Sequence, residues 1–363
     1  MPSAPTGNAC CDRCADLGGA DAGKSDAGKI ARRRLLKAAI FRPLEADAPT
    51  DPKPDDFDQD DPADLAPTTG FADVAELPRA VSGTILDISP HVLIIGQIGT
   101  EQRYTLTPDA IGWRGAPCEP AALRQGDRVV FRLHPSRRNV ADRIWANMGR
   151  VTGVIIDRSG DSVLVDEGAT RKPQVINILP RHMGRIQVRF PNLEPGFLVD
   201  IIGVRRGEDL DGVIPATSQP GYPAHALPPP AMVSGHVPDS ISGSAVWHEP
   251  RDEPPGVLGV AYPALDPDAR CAEDAASRRG HGYARMPYLA VGSVLRIRND
   301  CSGKDCLVPV TGCAAIARLF NDRCVNCGTS PRGRIADLTM ASFIALGGEL
   351  ERGCFNATMT IGE

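Results

Sequence analysis

The chain has 363 residues, room for two or three domains, with a formal net charge of −5, 5% aromatic residues, 37 glycines and 33 prolines. Scarce aromatics with abundant Gly and Pro suit short strands joined by many turns rather than long helices. The acidic balance, with one dense basic cluster at Arg32-Arg33-Arg34 and Lys37, excludes a broad phosphate-binding surface, and no apolar run is long enough for a helical membrane span.

Residues 1–78 read as a flexible acidic and Pro-rich arm with one short basic helix, Gly28 to Phe41. Glu45 to Leu65 is mostly Asp and Pro and has too little to bury to offset its ordering entropy. Arg32-Arg33-Arg34-Leu35-Leu36-Lys37 fits a twin-arginine export pattern. Only Ala38-Ala39-Ile40-Phe41 follows before Arg42 and Pro43, so the stretch lacks the apolar core of a signal peptide and reads as an amphipathic helix. Cys10, Cys11 and Cys14 sit on this arm without a fourth metal ligand nearby and read as incidental thiols.

An internal repeat organises the next two segments, 79–149 and 150–216. Val81-Ser82-Gly83-Thr84-Ile85-Leu86-Asp87 returns as Val151-Thr152-Gly153-Val154-Ile155-Ile156-Asp157. Leu123-Arg124-Gln125-Gly126-Asp127 returns as Leu193-Glu194-Pro195-Gly196-Phe197, and Ile144 aligns with Ile214, all at an offset of about seventy. Period-two patterning with Gly-centred turns predicts two small OB-like β-barrels. Such barrels often carry nucleic acid, but the strands hold Val, Ile and Leu rather than aromatics beside basic residues. Spacer or docking barrels are therefore expected, with no nucleic-acid partner.

Residues 217–270 are Pro-rich, including Pro228-Pro229-Pro230 and Pro254-Pro255, and read as an ordered connector pinned by pieces such as Ala245-Val246-Trp247. Residues 271–363 form the last module. Strands are predicted at Val294 to Arg298, around Leu307-Val308-Pro309-Val310, and from Phe355 to Ile361. Thr339 is placed to N-cap a short helix from Met340 to Leu346, with Gly347-Gly348 ending it.

The order Gly292-Ser293-Val294-Leu295-Arg296-Ile297-Arg298-Asn299, Asn321-Asp322-Arg323-Cys324, Gly333-Arg334-Ile335-Ala336-Asp337-Leu338-Thr339 and Phe343-Ile344-Ala345-Leu346-Gly347 resembles the double-psi β-barrel of RlpA-like proteins and expansins. The resemblance covers about Tyr283 to Gly362. It implies a six-stranded barrel with a groove for glycan strands, in proteins that act at cell walls. The overall fold class is thus mainly β: two repeated small OB-like barrels followed by a double-psi barrel, after a disordered N-terminal arm.

In catalytic members of that family an acid in the Asn-Asp-Arg loop does the chemistry, which maps to Asp322. A glycosidase or lytic transglycosylase needs such a carboxyl to protonate the glycosidic oxygen. Asp337 is a second candidate, with helix capping as its competing role. Tyr288, Asn321 and Arg323 are the groove or binding candidates. The groove His of the family falls near Met286 here; His281 lies a few residues earlier, and Thr311 to Leu319 reads as an insertion. These departures favour a non-catalytic cell-envelope or surface-assembly protein whose last barrel binds polysaccharide or a partner subunit. The rival is a peptidoglycan- or glucan-cleaving enzyme using Asp322.

Of 11 cysteines, Cys301, Cys306, Cys313, Cys324, Cys327 and Cys354 crowd into the last module, while Cys118 and Cys271 stand apart. Six cysteines allow fifteen pairings. Disulfides in an extracellular or envelope compartment are the favoured reading, with no cofactor. Zinc held by Cys301, Cys306, Cys324 and Cys327, in a scaffolding protein, is the alternative.

Overall fold

The computed structural model describes residues 77–361 except 78, 98, 138, 169–170, 220, 222, 227–239, 251–255, 266–285 and 325–331. The expected arm and its basic helix therefore lie outside the described residues, as do Cys10, Cys11, Cys14, Cys271, His281 and Cys327. The fold is mainly β and contains three closed barrels.

The first barrel is built from β1 (Arg79–Ile88), β2 (Val92–Gln97), β3 (Thr100–Trp113), β5 (Arg128–Leu133) and β6 (Val140–Ala146), with β4 (Pro117–Cys118) as a short side pairing on β3. Its strands close in the order β2-β1-β5-β6-β3-β2, all antiparallel except the β3/β6 pair. The second barrel repeats this path with β7 (Met148–Ser159), β8 (Ser162–Asp166), β9 (Gln174–Ile178), β10 (Leu198–Arg206) and β11 (Asp209–Pro215), and again one parallel pair, β9/β11. This is the closed five-stranded Greek-key path of an OB-like unit.

The repeat holds at the level of single hydrogen bonds. Gly126 N–H donates to the Ile85 carbonyl at 2.8 Å, and Gly196 N–H donates to that of Ile155 at 2.7 Å. Both glycines sit at positive φ, 86° and 90°, where a side chain would be strained. A β-bulge falls between Ile85 and Asp87 in one copy and between Ile155 and Asp157 in the other. Each barrel interior is filled by inward-facing apolar side chains, such as Ile85, Ile95 and Phe131 in the first and Val151, Ile155 and Ile176 in the second. The copies differ between their third and fourth barrel strands. There the first has a 3-10 turn, Pro120–Ala122, and the second a helix, α1 (Pro180–Gln187), started by its own proline and seated through Ile186.

The third barrel corrects the expected connector. Two of its six strands, β12 (Ser240–His248) and β13 (Val260–Tyr262), come from within 217–270. The others are β14 (Val294–Asn299), β15 (Asp305–Cys313), β17 (Arg332–Thr339) and β18 (Cys354–Ile361), with β16 (Asn321–Asp322) paired to β17. The ring closes as β12-β18-β14-β15-β13-β17-β12, and the β13/β15 and β12/β17 pairs are parallel. Parallel neighbours need crossover connections, so residues far apart in sequence share this barrel. Ala245, Val246 and Trp247 are fully buried core strand, not surface pins.

Helix α2 (Met340–Ala345) follows β17, and the Thr339 hydroxyl accepts from the Ser342 N–H at 3.2 Å, the cap read from the sequence. The three barrels lie in one compact unit, Thr68–Glu363. A single apolar cluster joins them: Trp113 and Trp145 of the first, Ile202, Val213 and Ile214 of the second, and Trp247, Val260 and Phe355 of the third.

Candidate functional site

Asp322 ends β16, where pairing with β17 sets it beside Arg334. Arg334 grips it with two hydrogen bonds, Nε to Oδ2 at 3.0 Å and Nη2 to Oδ1 at 2.8 Å. Ser244 of β12 donates its hydroxyl to Oδ2 at 2.6 Å. Arg334 Nη2 also reaches Asp200 of β10, in the second barrel, at 2.6 Å. Asp200 in turn holds Arg150 of β7 through Nε at 2.8 Å and Nη2 at 2.7 Å, and accepts from the Thr152 hydroxyl at 2.9 Å.

Arg150 finishes the chain by donating Nη1 to the carbonyls of Trp247 at 3.0 Å and Gly353 at 2.7 Å. The Arg334 guanidinium lies 4.3 Å from the centre of the Phe320 ring, and that of Arg150 lies 5.4 Å from that of Trp247. Asp200 and Asp322 are 0% exposed, and Arg334 and Arg150 only 1% and 2%. Burial alone would raise the Asp200 carboxyl, but Arg150 and Arg334 outweigh it and hold the group below the usual aspartate value. Two arginines against two aspartates, each hydrogen-bonded, is the arrangement that makes charge tolerable inside a protein.

This network corrects the reading of Asp322 as a general acid in an open groove. A glycosidase acid must reach the substrate oxygen and carry a proton. Asp322 has no solvent-exposed surface, and its oxygens are taken by Arg334 and Ser244.

Asp337 is in β17, opposite Val246 and Ala261, rather than at the helix start; Thr339 is the cap. Its Oδ1 lies 3.3 Å from His248 Nδ1. Burial would raise this carboxyl as well, yet His248, Arg334 and Arg150 lower it well below the usual range, which keeps it ionised and unfit as an acid. Tyr288 is 61% exposed, Arg323 is exposed, and Asn321 is half-buried. The Asn321 carbonyl accepts from the Gln219 amide at 3.3 Å. No hydrogen bond or ring contact among the described residues gathers Tyr288 with Asn321 and Arg323 into one groove.

The cysteines divide. Cys301 and Cys313 are in disulfides, whereas Cys306, Cys324 and Cys354, expected to pair, are thiols, as is Cys118. Cys306 points into the barrel core, and burial pushes its thiol up to about 12. Of the four cysteines named for zinc, Cys301 is in a disulfide and Cys327 lies outside the described residues. Among the described residues no group of three or more His, Cys, Asp or Glu is placed to hold a metal ion.

The residues that sequence reasoning missed are Arg150 and Asp200. A signal for them was present. At the repeat offset of seventy they replace Ala80 and Val130, so charge stands where the first copy is apolar.

No family model matches the chain, and no curated protein matches it. Among solved structures, it was compared with one described as a multidomain protein with nucleic acid binding domains from Streptococcus pneumoniae TIGR4. The two share 16% identity over 70% of this chain and 73% of that one, with a TM-score of 0.14.

Proposed function

We propose that this chain is a non-catalytic cell-envelope or surface-assembly protein whose last barrel engages polysaccharide or a partner subunit. The observation that carries the reading is the burial of Asp322 inside an ion network tying the second barrel to the third. The carboxylate that maps to the family's catalytic acid serves here as a strut. Disulfides at Cys301 and Cys313 favour an oxidising compartment, and the resemblance to RlpA and expansins favours the cell wall.

The last barrel also has a surface suited to docking. Leu307 and Val294 are each 50% exposed on the outer face of β14 and β15, and Val291 and Tyr288 precede them. Val294 and Leu307 are diagonal neighbours across the β14/β15 pair, and exposed apolar residues that adjoin in this way mark contact surfaces more often than scattered ones do. In the first two barrels no described aromatic side chain is exposed: Tyr104, Trp113, Phe131, Trp145 and Phe190 are buried and Phe197 is half-buried. A base-stacking platform is therefore missing there, which argues against single-stranded nucleic acid as the partner.

Incubation with purified peptidoglycan should release no anhydro-muropeptides. Release that disappears in Asp322→Asn, at unchanged melting temperature, would sink the non-catalytic reading. In co-sedimentation with insoluble peptidoglycan or cellulose, Tyr288→Ala with Leu307→Asp should reduce retention. No retention of the parent protein above an albumin control would remove polysaccharide and leave a protein subunit as the partner.

A further inference from the structure

Three sulfurs from separate parts of the last barrel converge beside the ion network. Cys301 lies in the exposed turn after β14, pinned by its N–H donating to Asn299 Oδ1 at 2.9 Å. Cys324 follows β16 and is 2% exposed; Cys354 opens β18 and is 4% exposed. The Cys301 and Cys324 sulfurs are 3.7 Å apart, and Cys324 in turn hydrogen-bonds Cys354. The first sulfur is in a disulfide and the other two are thiols.

We propose that Cys301, Cys324 and Cys354 form a thiol–disulfide exchange centre in which the disulfide at Cys301 migrates inward from the surface. Exchange proceeds by thiolate attack on a disulfide sulfur, and it is fast only when the attacking sulfur is already at contact distance. In the first step the Cys324 thiolate attacks Cys301 Sγ. A Cys301–Cys324 bond forms, the bond from Cys301 to its present partner breaks, and that partner leaves as a thiolate that takes up the proton Cys324 released. In the second step Cys354 attacks Cys324, a Cys324–Cys354 bond forms, and Cys301 leaves as the thiolate. The number of disulfides is unchanged throughout, so no external oxidant or reductant is consumed.

The end state places the disulfide in the core and a thiol in the exposed turn. The hydrogen bond from Cys324 and burial both raise the Cys354 thiol, so the second step should be slow at neutral pH and quicken as pH rises. Cys306 has no place in the relay, being buried in the core on β15.

The test is disulfide mapping of the full chain by mass spectrometry. Protein in non-reducing buffer is shifted from pH 6 to pH 8.5, sampled over several hours, quenched in acid and alkylated. The expected result is the successive appearance of Cys301–Cys324 and Cys324–Cys354 peptides at a constant total of alkylatable thiols. Cys354→Ala should stop the sequence at Cys301–Cys324, Cys324→Ala should abolish both products, and Cys118→Ser should change nothing. Should either alanine variant fail to fold, the parent time course still decides. An unchanged map at pH 8.5, or a Cys324–Cys354 bond formed with two thiols lost from the total, would overturn the proposal.

Discussion

The two repeated barrels meet the third with equivalent positions and opposite chemistry. Ala80 and Val130 of the first barrel correspond, at the offset of seventy, to Arg150 and Asp200 of the second. Their registers correspond too: Ala80 pairs with Arg132 and Val130 with Ser82, as Arg150 pairs with Ile202 and Asp200 with Thr152. Around Ala80 and Val130 the contact with Val257 and Met340 is apolar and leaves a cavity of about 30 Å³. Around Arg150 and Asp200 it is a buried ion network. Duplication thus supplied one docking geometry twice, and divergence at two positions decided whether the contact made there is apolar or ionic. An apolar contact tolerates small slips, whereas an arginine bridging a carboxylate and two carbonyls fixes one relative placement.

The sharpest way to break this comparison is to remove one charge. Asp200→Val leaves Arg150 buried without its carboxylate and should cost about 3–5 kcal/mol of stability, read as a drop in the urea midpoint. Combining it with Arg150→Met restores the apolar character of the first copy, and the double variant should be more stable than Asp200→Val alone. A double variant that loses as much as the two single losses summed would show that the pair is not coupled.

Acid should act on the same contact. The Asp200 carboxyl lies below its ordinary value in the folded protein, so its contribution is complete above the unfolded value, about 3.9. That contribution is lost as pH falls through the lowered folded value. Asp337, lowered beside His248, adds to the same loss. Melting temperature should therefore hold between pH 7 and about pH 5 and decline steeply below about pH 4. The double variant at Arg150 and Asp200 should show a shallower decline; an identical slope would remove Asp200 as its source.

How far the sequence was readable follows from the range of each signal. The barrels of the repeat were legible because turn glycines, bulges and inward aliphatics are local, and the offset of seventy repeats them. The strands β12 and β13 were not, because their parallel partners are distant in sequence and proline-rich flanks conceal short apolar runs. Helix α1 went unread because half of its eight residues are polar or charged and only Ile186 is buried. Asp322 was singled out by a local motif, but its role is set by Arg334 and, through it, by Asp200, which is 134 residues from Arg334. Long-range ion pairs leave no period in a sequence.

The first barrel also has a polar tie to the third, and it should be worth less. Trp145 Nε1 donates to Glu351 at 2.6 Å, and Arg143 pairs with the same carboxylate. The two charged side chains are somewhat more exposed than Arg150 and Asp200, 9% for Arg143 and 12% for Glu351, while Trp145 is fully buried. Glu351→Ala should cost about 1–3 kcal/mol through the unsatisfied indole N–H, with the loss visible as a red-shifted tryptophan emission. A loss as large as that of Asp200→Val would erase the distinction between the two junctions.

The smallest effect tests the apolar side directly. Val130→Ile adds one methylene beside the cavity between the first and third barrels. A buried methylene contributes about 0.8 kcal/mol when space exists for it, whereas overpacking costs about 1–3 kcal/mol. Because Val130 is half-buried and lines this cavity, the net change should stay within about 1 kcal/mol. The equivalent swap of charge into this copy, Val130→Asp, has no arginine at position 80 to meet it. If Val130→Ile proved as damaging as a lost ion pair, the apolar contact around Ala80 and Val130 would be as tightly specified as the ionic one around Arg150 and Asp200.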